Sequence, residues 1–233
     1  MKLKICGMKY LENIQEVAAL QPDYLGFIFY EKSKRNFDGV IPVISKSIKK
    51  TGVFVNASID EVIAKINLYD LQAVQLHGDE SVSYIKELRC HFEERMTEKS
   101  HDEKQKQPID SARGDSSVEI IKVFGIKESF NFDVLKPYLK VVDYFLFDTK
   151  GKEKGGNGVA FDWNILEKYS FTKPFFLSGG IGLDQLEEIH QIRKIDLPIY
   201  ALDVNSKFEI EAGLKSVESI KEFKRNVITS KAK

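Results

Sequence analysis

Eight short apolar runs, each followed by a stretch long enough to carry a helix, predict an α/β fold built from eight βα units. Three observations support this. The runs are β-branched or aromatic and apolar nearly throughout, as parallel strands covered on both faces are. Several of the stretches between them repeat apolar residues at helical spacing. The length, 233 residues, is close to that of a compact (β/α)8, or TIM, barrel in a single domain spanning 1–233. An open doubly wound sheet is the competing architecture. It wants G-x-G-x-x-G after its first strand, where this chain has Cys6-Gly7-Met8-Lys9.

In chain order the expected strands are Leu3–Cys6, Tyr24–Phe29, Thr51–Val55, Ala73–His77, Ile120–Phe124, Tyr144–Asp148, Phe175–Ser178 and Ile199–Leu202. The segments between them read as helices. Ile59, Val62, Ile63 and Ile66 share one helical face, with Ser58 placed to cap it. Leu183, Leu186, Ile189 and Ile192 form a second such face, with Asp184 in a capping role at its start. Leu214, Val217, Ile220, Phe223 and Val227 form a third. Glu93–Ser117 breaks the rhythm: 25 residues hold 12 charges and few apolar side chains. Such a segment cannot offset its own ordering entropy, so it reads as a disordered insertion between the fourth helix and the fifth strand. A helix-to-strand loop lies on the N-terminal face of a barrel, away from the chemistry.

Composition narrows the function. Lys+Arg and Asp+Glu both number 35, so the formal net charge is zero, and no basic stripe suggests nucleic acid. No apolar run approaches the roughly 18 residues of a membrane helix. The basic N-terminus has no apolar stretch behind it to make a signal peptide. Two cysteines do not make a disulfide framework. A soluble, cytoplasmic protein is expected. With no long apolar stripe left over once the helices face the barrel, so is a monomer.

In a barrel the C-terminal strand ends form the active-site face, which directs attention to the polar residues there. Strand one ends at Cys6, a residue open to two readings: a base or nucleophile if its pKa is lowered, or a small buried apolar side chain. Strand six ends at Asp148, closing the apolar run Tyr144–Phe147. Dry surroundings would raise its pKa and suit it to donate a proton; a loop cap or a salt bridge is the plainer role. Arg35, after strand two, reads as a carboxylate clamp or as one more solvated charge. His77 reads as a base, a ligand or a satisfied strand-end histidine, and no His, Asp and Glu cluster shows metal-site spacing. After strand seven, Gly179, Gly180 and Gly182 would let backbone N–H groups approach an anion, with a helix N-terminus behind them. Asp203, Asn205 and Ser206 after strand eight supply the other half of a phosphate site. Cys90 sits late in a helix and carries no functional reading.

These motifs, in order, resemble phosphoribosylanthranilate isomerase of tryptophan biosynthesis. They are Lys4-Ile-Cys-Gly7, Gly26-Phe-Ile-Phe29 with Ser33-Lys-Arg35, Gly52-Val-Phe-Val-Asn56 and Gln75-Leu-His-Gly-Asp-Glu80. Then follow Phe147-Asp148, Gly155-Gly-Asn-Gly158 with Phe161-Asp-Trp163, Ser178-Gly-Gly-Ile-Gly182, and Asp203-Val-Asn-Ser206 with Glu209. The resemblance implies an Amadori rearrangement with Asp148 as general acid and Cys6 as general base. It implies Arg35 on the anthranilate carboxylate, and His77, Gly180, Gly182, Asp203, Asn205 and Ser206 as further substrate-binding residues, the glycine turn with Asn205 and Ser206 on the phosphate. It implies no metal and no organic cofactor, the substrate's imine nitrogen serving as electron sink. Lys207 and Ala212 depart from the family's usual glycine and proline, and Lys9 from its common threonine. The alternatives are another sugar-phosphate-binding barrel and a non-catalytic phosphate-binding module.

Overall fold

A computed structural model describes residues 1–103, 118–149 and 162–227, with side chains outside 94–103. Eight parallel strands close into a barrel: β1 (Lys2–Ile5), β2 (Tyr24–Phe29), β3 (Lys49–Phe54), β4 (Ala73–Leu76), β5 (Glu119–Ile126), β6 (Tyr144–Thr149), β7 (Phe175–Leu177) and β8 (Ile199–Val204). Every strand expected from the sequence is present, with no end displaced by more than two residues. β8 returns to β1 with Leu3 opposite Leu202 and Ile5 opposite Val204, which closes the ring.

Alternation along the strands separates two buried clusters. Tyr24, Ala73, Ile121, Val123, Leu146, Phe176 and Ala201 pack together. Along β2, Leu25, Phe27 and Phe29 belong instead to the larger cluster shared with the helices. At the N-terminal strand ends, Tyr24 donates to Glu119 Oε2 at 3.0 Å, Tyr144 stacks on Tyr200 with ring centroids 4.4 Å apart, and Lys49 pairs with Glu119. These contacts plug the end of the barrel away from the site.

The connections are less uniform than the alternation suggests. α1 (Leu11–Ala19), α2 (Ile59–Tyr69), α3 (Val82–Glu103), α4 (Leu186–Ile192) and α5 (Val217–Val227) are regular. Ser58 caps α2 as expected, its hydroxyl accepting from the Glu61 N–H at 3.2 Å. Between β2 and β3 there is no helix: residues 30–48 form turns and loops. Gly39, Pro42 and the β-branched residues around them disfavour one. Among the described residues the fifth and sixth units carry 3-10 helices, Phe132–Tyr138 and Trp163–Lys168, and no α-helix. Three further sequence expectations change. The Leu183–Ile192 stretch splits into a 3-10 turn, Leu183–Gln185, and seven-residue α4, so Asp184 lies inside the turn and not at a cap. Leu214 leaves the last helix for a two-residue strand, β10 (Leu214–Lys215), paired antiparallel with β9 (Glu209–Glu211). Helix α3 runs to Glu103, so helix replaces the expected disorder over 93–103, and residues 104–117 lie outside the described residues.

Candidate active site

The C-terminal ends of the strands surround one cleft. Cys6, Arg35, His77, Asp148, Gly179, Gly180, Asp203, Asn205 and Ser206 all line it. Of the residues singled out from the sequence, Gly182 does not line it: it precedes the 3-10 turn, and a side chain there would run into Asp184 and the stem of Lys207. The Gly155–Gly158 motif and Phe161 lie outside the described residues.

Cys6 is buried, 4% exposed, and Gly26 of β2 makes its place. A Cβ on Gly26 would lie 2.8 Å from Cys6 Sγ, so only glycine leaves room for the thiol. The sequence argument needed a lowered thiol pKa; the structure does the reverse. Burial raises the Cys6 thiol above its ordinary 9.0, although the nearby Lys4 ammonium opposes it through charge and a hydrogen bond.

Asp148 lies in dry surroundings. Burial pushes its carboxyl up to about 6, and the Asp203 charge adds to the shift. The Thr149 N–H donates to Oδ1 at 2.9 Å and restrains it, as does Ser178. His77 Nε2 lies 3.6 Å from Asp148 Oδ2, and Gln75 Nε2 is 3.3 Å from His77 Nδ1. These contacts place the imidazole beside the acid.

Arg35 is neither solvated nor loose. Its Nε donates to Glu209 Oε1 at 2.8 Å and its Nη2 to Oε2 at 2.7 Å, a two-pronged brace on a side chain 16% exposed. Glu209 also accepts from Lys215 Nζ at 2.7 Å and from the Gly213 N–H at 3.0 Å. Although burial works against its charge, the hydrogen bond from Arg35 and the Lys215 ammonium hold the Glu209 carboxyl down at about 2. Lys215 in turn donates to Asn205 Oδ1 at 2.6 Å, which ties the strand-eight loop to the same network. Burial pushes its ammonium down to about 8 against the pull of Glu209.

Two more buried lysines were not picked out from sequence. Lys4 Nζ donates to Asp203 Oδ1 at 2.8 Å, across the seam where β1 meets β8. Burial opposes the Lys4 charge, but Asp203 raises its pKa overall. Lys122 Nζ donates to Glu80 Oε2 at 3.0 Å. Glu80 also accepts from the Asn56 and Gly78 N–H groups, pinning the loops after β3 and β4. The sequence does carry one signal: Lys122 interrupts the apolar run Ile120–Phe124, and a cation there must face a buried partner.

On the far side, Gly179 and Gly180 adopt left-handed φ of +94° and +66°. A side chain on Gly179 would strike the Thr149 hydroxyl and, at 2.8 Å, its backbone nitrogen. The turn therefore presents bare backbone to the cleft. Two buried acceptors, Gln75 Oε1 and Thr149 Oγ1, have no hydrogen-bond partner among the described residues, and both residues line the cleft. The set combines one raised acid, one thiol, one braced guanidinium and a backbone turn suited to an anion. Among the described residues no group of three His, Cys, Asp or Glu could hold a metal ion, and no helix is long and apolar enough to cross a membrane.

Comparison with known proteins agrees with the barrel fold. The family profile described as N-(5'phosphoribosyl)anthranilate (PRA) isomerase matches residues 3–115 and 101–226. The N-(5'-phosphoribosyl)anthranilate isomerase of Parabacteroides distasonis is 40% identical, covering 98% of this chain and 94% of that protein. The crystal structure of phosphoribosyl anthranilate isomerase from Thermotoga maritima is 27% identical with a TM-score of 0.75, covering 99% of this chain and 100% of that one. A further isomerase structure, in complex with reduced 1-(o-carboxyphenylamino)-1-deoxyribulose 5-phosphate, has the same fold at a TM-score of 0.71 and 24% identity, over 99% of this chain and 100% of that one. With a profile matched along most of its length and a relative this similar, the chain belongs to the N-(5'-phosphoribosyl)anthranilate isomerase family.

Proposed function

We propose that the chain converts N-(5'-phosphoribosyl)anthranilate to 1-(2-carboxyphenylamino)-1-deoxyribulose 5-phosphate, the third step of tryptophan synthesis from chorismate. The observation that carries the chemistry is the pairing, in one cleft, of a carboxyl raised to about 6 with a buried thiol. In this reading protonated Asp148 gives its proton to the ribose ring oxygen and the ring opens to a Schiff base. The Cys6 thiolate then takes the C2 proton, leaving an enolamine. That species gains a proton at C1 and loses one from the C2 oxygen to become the ketone. The step is an isomerisation, balanced without oxidant, reductant or cofactor.

Arg35 meets the anthranilate carboxylate with the guanidinium edge that Glu209 leaves open. The Gly179–Gly180 turn, with Asn205 and Ser206, takes the phosphate. Gln75 Oε1 and Thr149 Oγ1 accept from sugar hydroxyls, which would satisfy two buried acceptors that otherwise cost energy. His77 and Asp203 support Asp148 and Cys6 from either side. Gly182 acts indirectly, through the bend of the phosphate loop. The chain works as a monomer in the cytoplasm on a small phosphorylated substrate, without nucleic acid or membrane; sedimentation tests the assembly.

The decisive assay follows the decay of anthranilate fluorescence with substrate generated in situ. The expected result is turnover by the wild type and a loss of at least about 100-fold in both Cys6→Ala and Asp148→Asn, the range typical of a positioned proton carrier. Unchanged turnover in either variant removes that residue from its role. No turnover by folded wild type would leave the phosphate turn as a binding module.

A further inference from the structure

We infer that Lys207 is an exchangeable phosphate ligand, held on Asp184 before substrate binds and transferred to the substrate's phosphate on binding. This inference rests on the phosphate placement proposed above. Lys207 is the one lysine among the described residues lining the cleft, where it sits with Gly179, Gly180, Asn205 and Ser206. Its stem crosses the phosphate loop: a Cβ on Gly182 would lie 3.1 Å from Lys207 Cβ and 3.3 Å from its Cγ. Its backbone belongs to the 3-10 turn Ser206–Phe208, held from below by buried Phe208. The origin of the side chain is fixed, while the side chain beyond it is about one-third exposed.

The partner distinguishes this lysine from the others around the site. Lys4, Lys122 and Lys215 pair with carboxylates that are 2–6% exposed, and removing any of those contacts would strand a buried charge. Lys207 Nζ instead meets Asp184 Oδ2 at 3.0 Å, with the two side chains 34% and 57% exposed. A solvated pair of this kind is weak and can break without stranding either charge. A phosphate monoester carries up to two negative charges and several acceptor oxygens, so it outcompetes one carboxylate for the ammonium. Asp184 then returns to water. The exchange gives the site a cation for the dianion without an unpaired lysine in its absence.

The test is competitive inhibition by inorganic phosphate, with binding of the same ion followed by calorimetry, in wild type, Lys207→Met, Asp184→Asn and the double variant. Lys207→Met is expected to raise the inhibition constant about tenfold, the loss of one charge-assisted hydrogen bond, and to raise KM with it. Asp184→Asn lowers the inhibition constant, because the competing carboxylate is gone. The double variant discriminates. If Lys207 moves from Asp184 to phosphate, the gain from Asp184→Asn disappears once Lys207 is methionine. If the two residues act only through the general field, the effects add and the inference falls; it also falls if Lys207→Met leaves the inhibition constant unchanged. Calorimetry keeps the outcomes separate: a wild type that binds phosphate but does not turn over substrate defeats the proposed activity, not the exchange.

Discussion

At the scale of single residues, Asp148 and Cys6 rest in the opposite protonation states to the ones the proposed mechanism requires of them. With Asp148 near 6 and Cys6 raised above 9.0, the chain at neutral pH holds a carboxylate and a thiol, whereas the proposed mechanism calls for a carboxylic acid and a thiolate. The active form is a small fraction whose size stays constant between the two pKa values. kcat/KM is therefore expected to rise with pH to a limb near 6, hold a plateau, and fall above the thiol's pKa. Asp148→Asn removes the group responsible for the first limb. Its residual activity is expected to keep rising through pH 6 towards the thiol's pKa. A limb near 6 that survives in Asp148→Asn would assign it to another group. The candidate proton carriers were legible in sequence because they end apolar strands. The resting protonation of Cys6 was not, because it depends on the depth of burial and on Lys4, which the sequence presents as an ordinary charged residue.

At the scale of elements, the hairpin of β9 and β10 acts as a bracket for the loops around the cleft. Glu209 at its start grips Arg35, while Lys215 at its end grips both Glu209 and Asn205. Asn13 of α1 closes the back of the bracket, donating to the Lys215 carbonyl at 2.9 Å and accepting its N–H at 2.8 Å. Removing Glu209 strands two cations, so Glu209→Ala is expected to cost about 3 kcal/mol of stability at neutral pH, as broken buried pairs do. The pH dependence follows from the lowered folded-state pKa. The contribution of Glu209 is complete above its ordinary 4.5 and is lost as pH falls from there towards 2. Urea unfolding at pH 7 and pH 4 is expected to show the wild-type advantage narrowing at the lower pH; a gap that widens would contradict the ion-pair account. Sequence periodicity missed this hairpin, because Leu214 falls in phase with α5 and a two-residue strand has no period of its own. The eight barrel strands were legible for the opposite reason: each carries a short, mostly apolar run bounded by polar turns. The missing helix between β2 and β3 was overlooked because strand alternation was extended to a connection that Gly39 and Pro42 interrupt.

At the scale of the whole molecule, chemistry and connectivity sit at opposite ends of the barrel. The cleft opens at the C-terminal strand ends, while β5, the strand that follows α3 in the chain, begins at Glu119 at the opposite end, beside the tyrosine plug. The seam between β1 and β8 is held by a full register of strand pairs and by the Lys4–Asp203 ion pair, so the ring does not depend on covalent continuity there. A cut within 104–117 would divide the chain between β4 and β5. The N-terminal piece would carry Cys6, Arg35 and His77; the C-terminal piece would carry Asp148, the glycine turn and the strand-eight loop. Neither piece holds both proton carriers. Co-expressed pieces are expected to reassemble through β4–β5 and β8–β1 pairing and restore turnover, while either alone is inactive. Activity from a single piece would contradict the assignment of the two roles. The Lys4–Asp203 pair, described above as crossing that seam, would thus serve as an assembly checkpoint: Lys4 travels in the same piece as the thiol, but the carboxylate that fixes its ammonium arrives only when the two halves meet.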